Sequence, residues 1–402
     1  MGRGGAYLAH MLLEGKAWDC VEKFQNSVCL LGRNYISYAV RCLTEMGHTV
    51  RVLTAPENYT EPTAWDTFAE KMKEGFDFVF SFDFFPVLSE LCMEMQTPYV
   101  AWVYDSPHLT LYSKKVKNPV NRIFLFDRAE CERLRSLGAD TVFYEPLAVH
   151  GKRLDAELSG LIPGEYAVSF VGNLYRDEYN FLDQIAYLPE GLRGYIDGIL
   201  QAQKMFFGFD LVGDVFSGEK AEEMAAYVKL GFGEDYFDVR DEVFCNMIRK
   251  KITADERTTL LQAIGAMADL TLCCKEKPEG IRARHMGYVD YEKTMPRVFR
   301  KSRINLNISL RTIKSGIPLR ILDILGAGGF LLTDYRAELP EYFSYEKELV
   351  WYESPEDLLE KIAFYLPKEE LCREIAEAGR KRAGEVFSYE YRLKRILEKA
   401  GV

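Results

Sequence analysis

Residues 315–333 read SGIPLRILDILGAGGFLLT, an apolar stretch with a proline near its start and glycines near its end. A proline suits the first turn of a helix, because the N–H group that it lacks would have no partner there. The spacing predicts a helix of about two turns that ends at Gly326, followed by a strand at residues 330–333. A helix that leads into a buried strand is typical of a parallel α/β sheet.

The chain around this helix is basic. Residues 275–320 contain twelve Lys and Arg against four Asp and Glu, although the chain of 402 residues has a net charge of −10. We interpret the segment as a site for a small anion; the alternative is a solvated basic face. Arg311, Lys314 and Arg320 lie near the free N–H groups of the helix start, which suits a diphosphate. Asp323 is placed to accept hydrogen bonds from ribose hydroxyls; the alternative is a surface acid.

Short apolar segments alternate with amphipathic ones in both halves of the chain, which predicts α/β domains with mostly parallel sheets. Predicted strands are residues 7–13, 50–54, 76–82, 99–104, 122–126, 141–144, 166–171, 270–273, 304–306, 330–333 and 349–352. Predicted helices are residues 35–46, 64–74, 87–95, 128–137, 355–365, 368–386 and 389–399. The polar segment 146–164 is the predicted joint between domains 1–150 and 151–402, with a helical insertion at about 178–264. Two Rossmann-like domains facing a cleft place ligands at the carboxyl ends of the strands.

Composition excludes several classes of protein. With 48% hydrophobic residues the chain is not disordered, and the acidic net charge disfavours nucleic acid as the partner. No apolar run approaches the length of a transmembrane helix, and the N-terminus is a poor signal peptide, so we predict a cytoplasmic protein. The nine cysteines and five histidines lack metal-site spacing, so no metal ligands are predicted. The absence of GxGxxG and Walker A sequences weakens dehydrogenase and P-loop interpretations.

An acid follows the strongly apolar strand at residues 99–104. Asp105 is expected at the carboxyl end of this strand, where the following Ser-Pro turn exposes it together with His108. Partial burial beside Trp102 and Tyr104 would raise the pKa of Asp105, so that it deprotonates an acceptor hydroxyl. The alternative is that Asp105 caps the following turn.

Two further strand ends carry candidate residues. Asp83 follows the strand at 76–82 and is a candidate second acid, although capping of the helix that begins near Pro86 is the favoured alternative. Gly172 and Asn173 follow the strand at 166–171, where a glycine lets a donor approach the backbone closely.

Residues 301–343 (KSRINLNISLRTIKSGIPLRILDILGAGGFLLTDYRAELPEYF) resemble the donor-binding region of glycosyltransferases of the spore-maturation CgeB type. Residues 81–90 (SFDFFPVLSE) and 99–107 (YVAWVYDSP) resemble the N-terminal domain of the same proteins, and 387–396 (FSYEYRLKRI) their closing helix. The resemblance implies the GT-B glycosyltransferase fold, with the helix at 389–399 packing back on the first, acceptor-side domain.

The same resemblance implies a nucleotide-diphosphate sugar as the donor, transfer to an unknown glycan, protein or small-molecule acceptor, and no separate cofactor. It places His285 where the nucleobase packs; the alternative is an ordinary loop. Gly328, in the glycine run after the helix, completes the predicted donor-binding set.

The sequence also departs from the patterns of such enzymes. Retaining enzymes of this fold often carry two glutamates eight positions apart; the second falls on Asp323 and the first on Ser315. The sugar-contacting acid is therefore missing or supplied elsewhere, which leaves retention or inversion open. No two aspartates form a DxD pair, which disfavours the metal-dependent single-Rossmann fold and favours a metal-independent enzyme. A non-catalytic nucleotide-binding or assembly protein and a nucleotide-sugar epimerase remain as alternatives.

Overall fold

The computed structural model describes residues 27–31, 36–53, 65–176, 180–185, 187–276 and 279–402, and the predicted strand at 7–13 lies outside these ranges. The chain divides into two compact units. The first contains the described residues up to Pro146, together with Phe232–Phe237 and Tyr389–Val402, and the second contains Leu147–Gly231 and Asp238–Ser388. Among the described residues, no helix has the length and apolarity needed to cross a membrane.

The strands are β1 (Ser27–Leu31), β2 (Thr49–Leu53), β3 (Phe78–Phe82), β4 (Tyr99–Val103), β5 (Asn121–Leu125), β6 (Val142–Tyr144), β7 (Tyr166–Val171), β8 (Leu270–Cys273), β9 (Arg284–His285), β10 (Ser302–Asn307), β11 (Leu331–Asp334) and β12 (Val350–Tyr352). The α-helices are α1 (Ile36–Glu45), α2 (Asp66–Met72), α3 (Pro86–Glu94), α4 (Arg128–Ser136), α5 (Gly151–Glu157), α6 (Glu190–Gln203), α7 (Leu211–Val215), α8 (Glu219–Ala225), α9 (Arg240–Met267), α10 (Thr294–Lys301), α11 (Leu319–Gly326), α12 (Leu339–Tyr342), α13 (Pro355–Tyr365), α14 (Glu369–Val386) and α15 (Tyr389–Ala400). Short 3-10 helices occupy Leu109–Tyr112, Lys114–Lys117 and Leu182–Gln184.

The first unit is built on a parallel sheet with the strand order β2-β1-β3-β4-β5-β6. Every residue of β3 and β4 is buried, as expected for strands that helices cover on both faces. From β1 the chain adds β2 on one side of the sheet, and then adds β3 to β6 on the other side. The connections that leave the carboxyl ends of β1 and β3 therefore run in opposite directions. Ligands of open α/β sheets bind at such an edge.

The second unit contains another parallel sheet, in the order β12-β11-β10-β7-β8-β9. From β7 the chain adds strands to one side, and from β10 it adds them to the other. The pair β7–β10 is therefore the topological switch point of a Rossmann-like sheet, and the carboxyl ends of these two strands are where a ligand is expected.

The helical insertion of the second unit is held by one long helix. Residues of α6, α7 and α8 form a hydrophobic cluster with the first half of α9, including Phe244 and Ile248. Leu260, Leu261 and Ile264, in the second half of α9, belong instead to the core that covers the sheet. The helix thus joins both cores, and the charged residues between its two apolar parts lie close to the strands.

Some predicted boundaries need correction. The segment 146–164, predicted as a polar joint, contains α5, whose first turn is capped by a hydrogen bond from the Arg153 N–H to His150 Nδ1 (3.1 Å). The first unit ends at Pro146, slightly before the predicted boundary. Pro318 is the N-cap residue of α11, with φ −62° and ψ 147°, so the helix begins at Leu319.

Candidate functional site

The three predicted catalytic side chains come together in the first unit. One ligating atom each of Asp83, Asp105 and His108 lies within 4.8 Å of the other two. Asp83 directly follows β3, and Asp105 lies two residues after the end of β4, so both occupy the carboxyl edge of the sheet. The strand-end argument therefore places these residues correctly in space, while their catalytic roles remain predictions.

Asp83 is buried and fixes the backbone that carries the second acid. Its Oδ1 atom accepts hydrogen bonds from the N–H groups of Tyr104 (2.9 Å) and Asp105 (3.2 Å). The expected capping of the helix near Pro86 is wrong, because Phe85 is the N-cap residue of α3. The φ angle of Asp83 is 64°, a left-handed conformation in which strain often accompanies function.

A buried polar network supports the backbone beneath Asp83. The Ser81 hydroxyl donates to the carbonyl of Asp83 (2.6 Å), and Tyr99 Oη lies 2.7 Å from Ser81 Oγ and accepts from the Phe85 N–H (3.1 Å). Burial raises the pKa of Tyr99 far above its usual value, so the phenol stays protonated. The network fixes the unusual turn after β3 without using a charged group.

Asp105 and His108 differ in exposure and in contacts. Asp105 is exposed, so the predicted partial burial of its carboxylate is wrong. His108 is half-buried, and its Nε2 atom lies 3.3 Å from the Phe84 nitrogen and 3.1 Å from the Phe84 oxygen. The cluster thus combines a buried acid that holds backbone, an exposed acid and an imidazole anchored on one ring nitrogen.

The predicted phosphate-binding role of Arg311 disagrees with its contacts. Arg311 is 7% exposed and forms a two-pronged ion pair with Glu256 of α9, with Nε–Oε2 and Nη2–Oε1 distances of 2.8 and 2.5 Å. Lys314 is paired with Glu242 of the same helix at 3.0 Å. Both cations therefore join the loop before α11 to the helical insertion, and the prediction that they bind a diphosphate is corrected.

Arg320 and Asp323 remain as donor-site candidates at the start of α11. Arg320 Nη1 lies 3.2 Å from Asp323 Oδ2, and the Tyr291 hydroxyl donates to Asp323 Oδ1 at 2.7 Å. Burial raises the pKa of Asp323 to about 6, against the opposing effects of the Arg320 charge and the Tyr291 hydrogen bond. Sequence reasoning selected Asp323 but missed Tyr291, which lies 32 residues earlier.

Asp323 gives the protein a specific dependence of stability on pH. The carboxyl has an ordinary pKa of 3.8 and a pKa of about 6 in the fold, so the folded state keeps its proton to a higher pH than the unfolded state does. We expect wild-type protein to lose about 3 kcal/mol of unfolding free energy, relative to Asp323→Asn, as the pH rises through this window. Urea unfolding of both proteins at several pH values measures the difference. A constant difference would mean that Asp323 ionises alike in both states.

The other predicted donor contacts lie at different edges of the second sheet. Gly172 and Asn173 directly follow β7, at the switch point. His285 is exposed at the end of the edge strand β9, and its Nε2 atom lies 2.8 Å from the carbonyl oxygen of Cys274. The predicted role of Gly328 in donor binding is corrected, because this residue is buried and precedes β11, at the amino edge of the sheet and away from the ligand-binding edge. Its φ angle of 70° indicates a structural role in the turn before the strand.

A carboxylate does lie beside the position where Ser315 replaces an expected glutamate. The Ser315 hydroxyl donates to Glu338 Oε1 at 2.7 Å, and Glu338 is 2% exposed. Glu338 follows β11 and belongs to the carboxyl edge of the sheet. The acid that sequence reasoning left as missing or supplied elsewhere therefore has a structural candidate from a different loop.

Residues 255–398 match the family model described as "Glycosyl transferase-like". No curated protein shows significant sequence similarity to the chain. Among solved structures, T4 phage BGT in complex with its UDP-glucose substrate is similar with a TM-score of 0.51 and 8% identity, covering 93% of this chain and 99% of that one. AviGT4, a glycosyltransferase involved in avilamycin A biosynthesis, has a TM-score of 0.50 and 13% identity, covering 94% and 97%.

At these identities the structural likeness establishes the fold alone, and it extends over nearly the whole chain. Two parallel Rossmann-like sheets form that fold, and the matched residues 255–398 begin at the charged part of α9 and include α11. The fold and the family match together identify the chain as a glycosyltransferase of the GT-B fold.

Proposed function

We propose that the protein transfers a glycosyl group from a nucleotide-diphosphate sugar to an acceptor hydroxyl. The observation that carries the proposal is the convergence of Asp83, Asp105 and His108 within 4.8 Å at the carboxyl edge of the first sheet. Similarity to T4 phage BGT, whose structure contains UDP-glucose, supports a nucleotide sugar as the donor. The resemblance of residues 301–343 supports a placement in the CgeB type.

Asp105 is the proposed general base, because it is the exposed carboxylate of the cluster. It takes the proton of the acceptor hydroxyl as the acceptor oxygen bonds to the anomeric carbon of the sugar. The bond from that carbon to the diphosphate oxygen breaks, and the nucleoside diphosphate leaves with the electron pair. Asp323 is the proposed contact of the donor ribose. The proton passes directly to the carboxylate, and the step is proposed to proceed without a metal ion.

Release of nucleoside diphosphate tests the proposal before any acceptor is known. We expect wild-type protein, incubated with UDP-, GDP-, ADP- and dTDP-sugars, to hydrolyse one of these donors slowly and to do so equally well with EDTA. Chromatography of the nucleotides measures the release, with heat-denatured protein as the control.

The other outcomes separate the alternatives. Binding without release would indicate a non-catalytic nucleotide-binding protein, whereas a changed sugar still attached to its nucleotide would indicate an epimerase. Loss of activity in EDTA with recovery in Mn²⁺ would overturn metal independence. Asp83, Asp105 and His108 would then be the candidate ligands, because two carboxylates and an imidazole suit a divalent ion.

A further inference from the structure

The switch point of the second sheet is bridged by a side chain from the long helix α9. Arg257 donates through Nε (3.0 Å) and Nη2 (2.5 Å) to the carbonyl oxygen of Ile308, which follows β10. Its Nη1 atom donates to the carbonyl oxygen of Asn173, which follows β7. A single guanidinium therefore touches the two loops between which a ligand of this sheet is expected.

Arg257 differs in charge compensation from the other buried arginines of the described residues. Each of the others has a carboxylate at ion-pair distance: Arg249 with Asp210, Arg311 with Glu256, Arg336 with Asp334, and Arg392 with Glu145. Arg257 is 7% exposed, and within the described parts of the chain its hydrogen-bond partners are carbonyl oxygens only. A buried charge with no carboxylate at ion-pair distance is unfavourable, so this guanidinium lacks an anion in direct contact.

The surroundings of Arg257 favour an anionic ligand. Burial lowers the pKa of Arg257, and the like charge of Arg320 acts in the same direction, against the opposing effects of Tyr175, Asp334 and Tyr352. An anion placed beside both groups would relieve both effects. A Cβ atom at Gly172 would lie 3.1 Å from the Phe170 ring and 3.6 Å from Arg257 Nη1, so a side chain at this position would crowd the guanidinium.

We propose that Arg257 is the principal contact of the donor diphosphate, in the role that the sequence predicted for Arg311 and Lys314. The inference rests on the proposed function and adds the residue that recognises its donor. A guanidinium presents parallel N–H groups that match phosphate oxygens, and here its orientation is already fixed by the two carbonyl groups. The diphosphate supplies the missing counter-charge at the switch point.

Calorimetry of matched variants tests the proposal. The ligands are UDP, GDP, ADP and dTDP, followed by the nucleoside of whichever diphosphate the wild type binds most tightly. We expect Arg257→Lys to weaken binding of that diphosphate at least tenfold, or about 1.4 kcal/mol, and to leave nucleoside binding unchanged. Arg311→Lys is the control: it alters a residue of equal exposure whose charge is already paired, so both affinities should match wild type.

The competing explanation is that Arg257 only ties the two loops together. Arg257→Lys would then unfold at a lower temperature while the folded protein binds the diphosphate as wild type does, and that result would overturn the proposal. If Arg257→Lys does not fold, the diphosphate affinity of Gly172→Val, which keeps Arg257, is measured instead. Its side chain would crowd both the Phe170 ring and Arg257 Nη1, and unchanged diphosphate affinity would again overturn the proposal.

Failure of the proposed function gives a different pattern. In that case the wild type binds none of the four nucleoside diphosphates, and the assignment of Arg257 fails with it. If the wild type binds one of them and both Arg257→Lys and Gly172→Val bind equally well, the proposed function stands and only the assignment of Arg257 is wrong.

Discussion

Replacing Asp105 by asparagine is expected to lower the rate of glycosyl transfer by about 10²- to 10⁴-fold, the usual contribution of a general base. Asparagine keeps the shape of the side chain and removes its basicity, so the affinity for nucleoside diphosphate should stay close to wild type. Initial rates of diphosphate release in the presence of acceptor, together with calorimetric titration of the diphosphate, measure the two quantities separately.

Asp140→Asn is the matched control for this variant. Asp140 is an exposed aspartate of the same unit that precedes β6, at the amino edge of the sheet and away from the cluster. It should transfer at the wild-type rate. Equal rates for Asp105→Asn and Asp140→Asn would remove Asp105 from the mechanism.

Asp83 is expected to act as a positioning residue. Asparagine can still accept the hydrogen bonds that Asp83 Oδ1 receives from Tyr104 and Asp105, whereas alanine cannot. Asp83→Asn should therefore retain most transfer activity, and Asp83→Ala should lose it. A loss in Asp83→Asn as large as that in Asp105→Asn would instead make Asp83 the base.

Replacing Glu145 by alanine is expected to lower the free energy of unfolding by about 3–5 kcal/mol, the usual effect of breaking a buried ion pair. Glu145 is fully buried; its Oε1 atom accepts from Arg392 (2.7 Å) and Arg395 (3.0 Å), and Oε2 from Lys399 (2.6 Å). Arg392 is 2% exposed and would lose its counter-charge. Urea unfolding of both proteins at neutral pH measures the change.

The control and the pH dependence make this prediction specific. Glu398 lies on α15, the helix that carries the three cations bound by Glu145, and is exposed. Glu398→Ala should therefore change the free energy of unfolding by less than about 1 kcal/mol. Burial alone would raise the pKa of Glu145, but contacts with Lys399 and Arg392 outweigh it and hold the pKa below its usual value. The advantage of wild type over Glu145→Ala should therefore shrink as the pH falls below about 4.5 and through that lowered pKa. An advantage that persists in acid would contradict the role of the charge.

Most strands of both sheets were predictable from the sequence because fully buried parallel strands are short apolar runs bounded by turns. The bounds of β7 and β8 match the predicted segments, and α11 and α13 end where predicted. The strand β1 was missed, although it pairs with a neighbour on each side in the first sheet, because a five-residue apolar run has no periodicity of its own. Pairing with β2 and β3 makes it a strand, and pairing is not a local property.

The residues of the candidate site also divide into some that the sequence predicts and some that it does not. The acids at the ends of β3 and β4 were predictable, because neighbouring parallel strands end at one edge of a sheet. The basic cluster was misjudged, because counting charges does not reveal which of them are paired. Glu256, the partner of Arg311, lies 55 residues away in the sequence, on a helix with no recognisable motif. The same helix carries Arg257, which only its burial and its contacts distinguish.

The order in which the chain is synthesised bears on the folding of the first unit, because α15 belongs to that unit. The ribosome delivers a chain from its N-terminus, and domains generally fold as they emerge. The first unit departs from this order, since Tyr389–Val402 belong to it and are made after the second unit. The Tyr104 hydroxyl, next to Asp105 in the sequence, donates to the Tyr389 hydroxyl at 3.1 Å. A nascent chain ending at Ser388 would therefore contain the second unit but lack this support, so we expect premature termination there to leave the first unit incomplete.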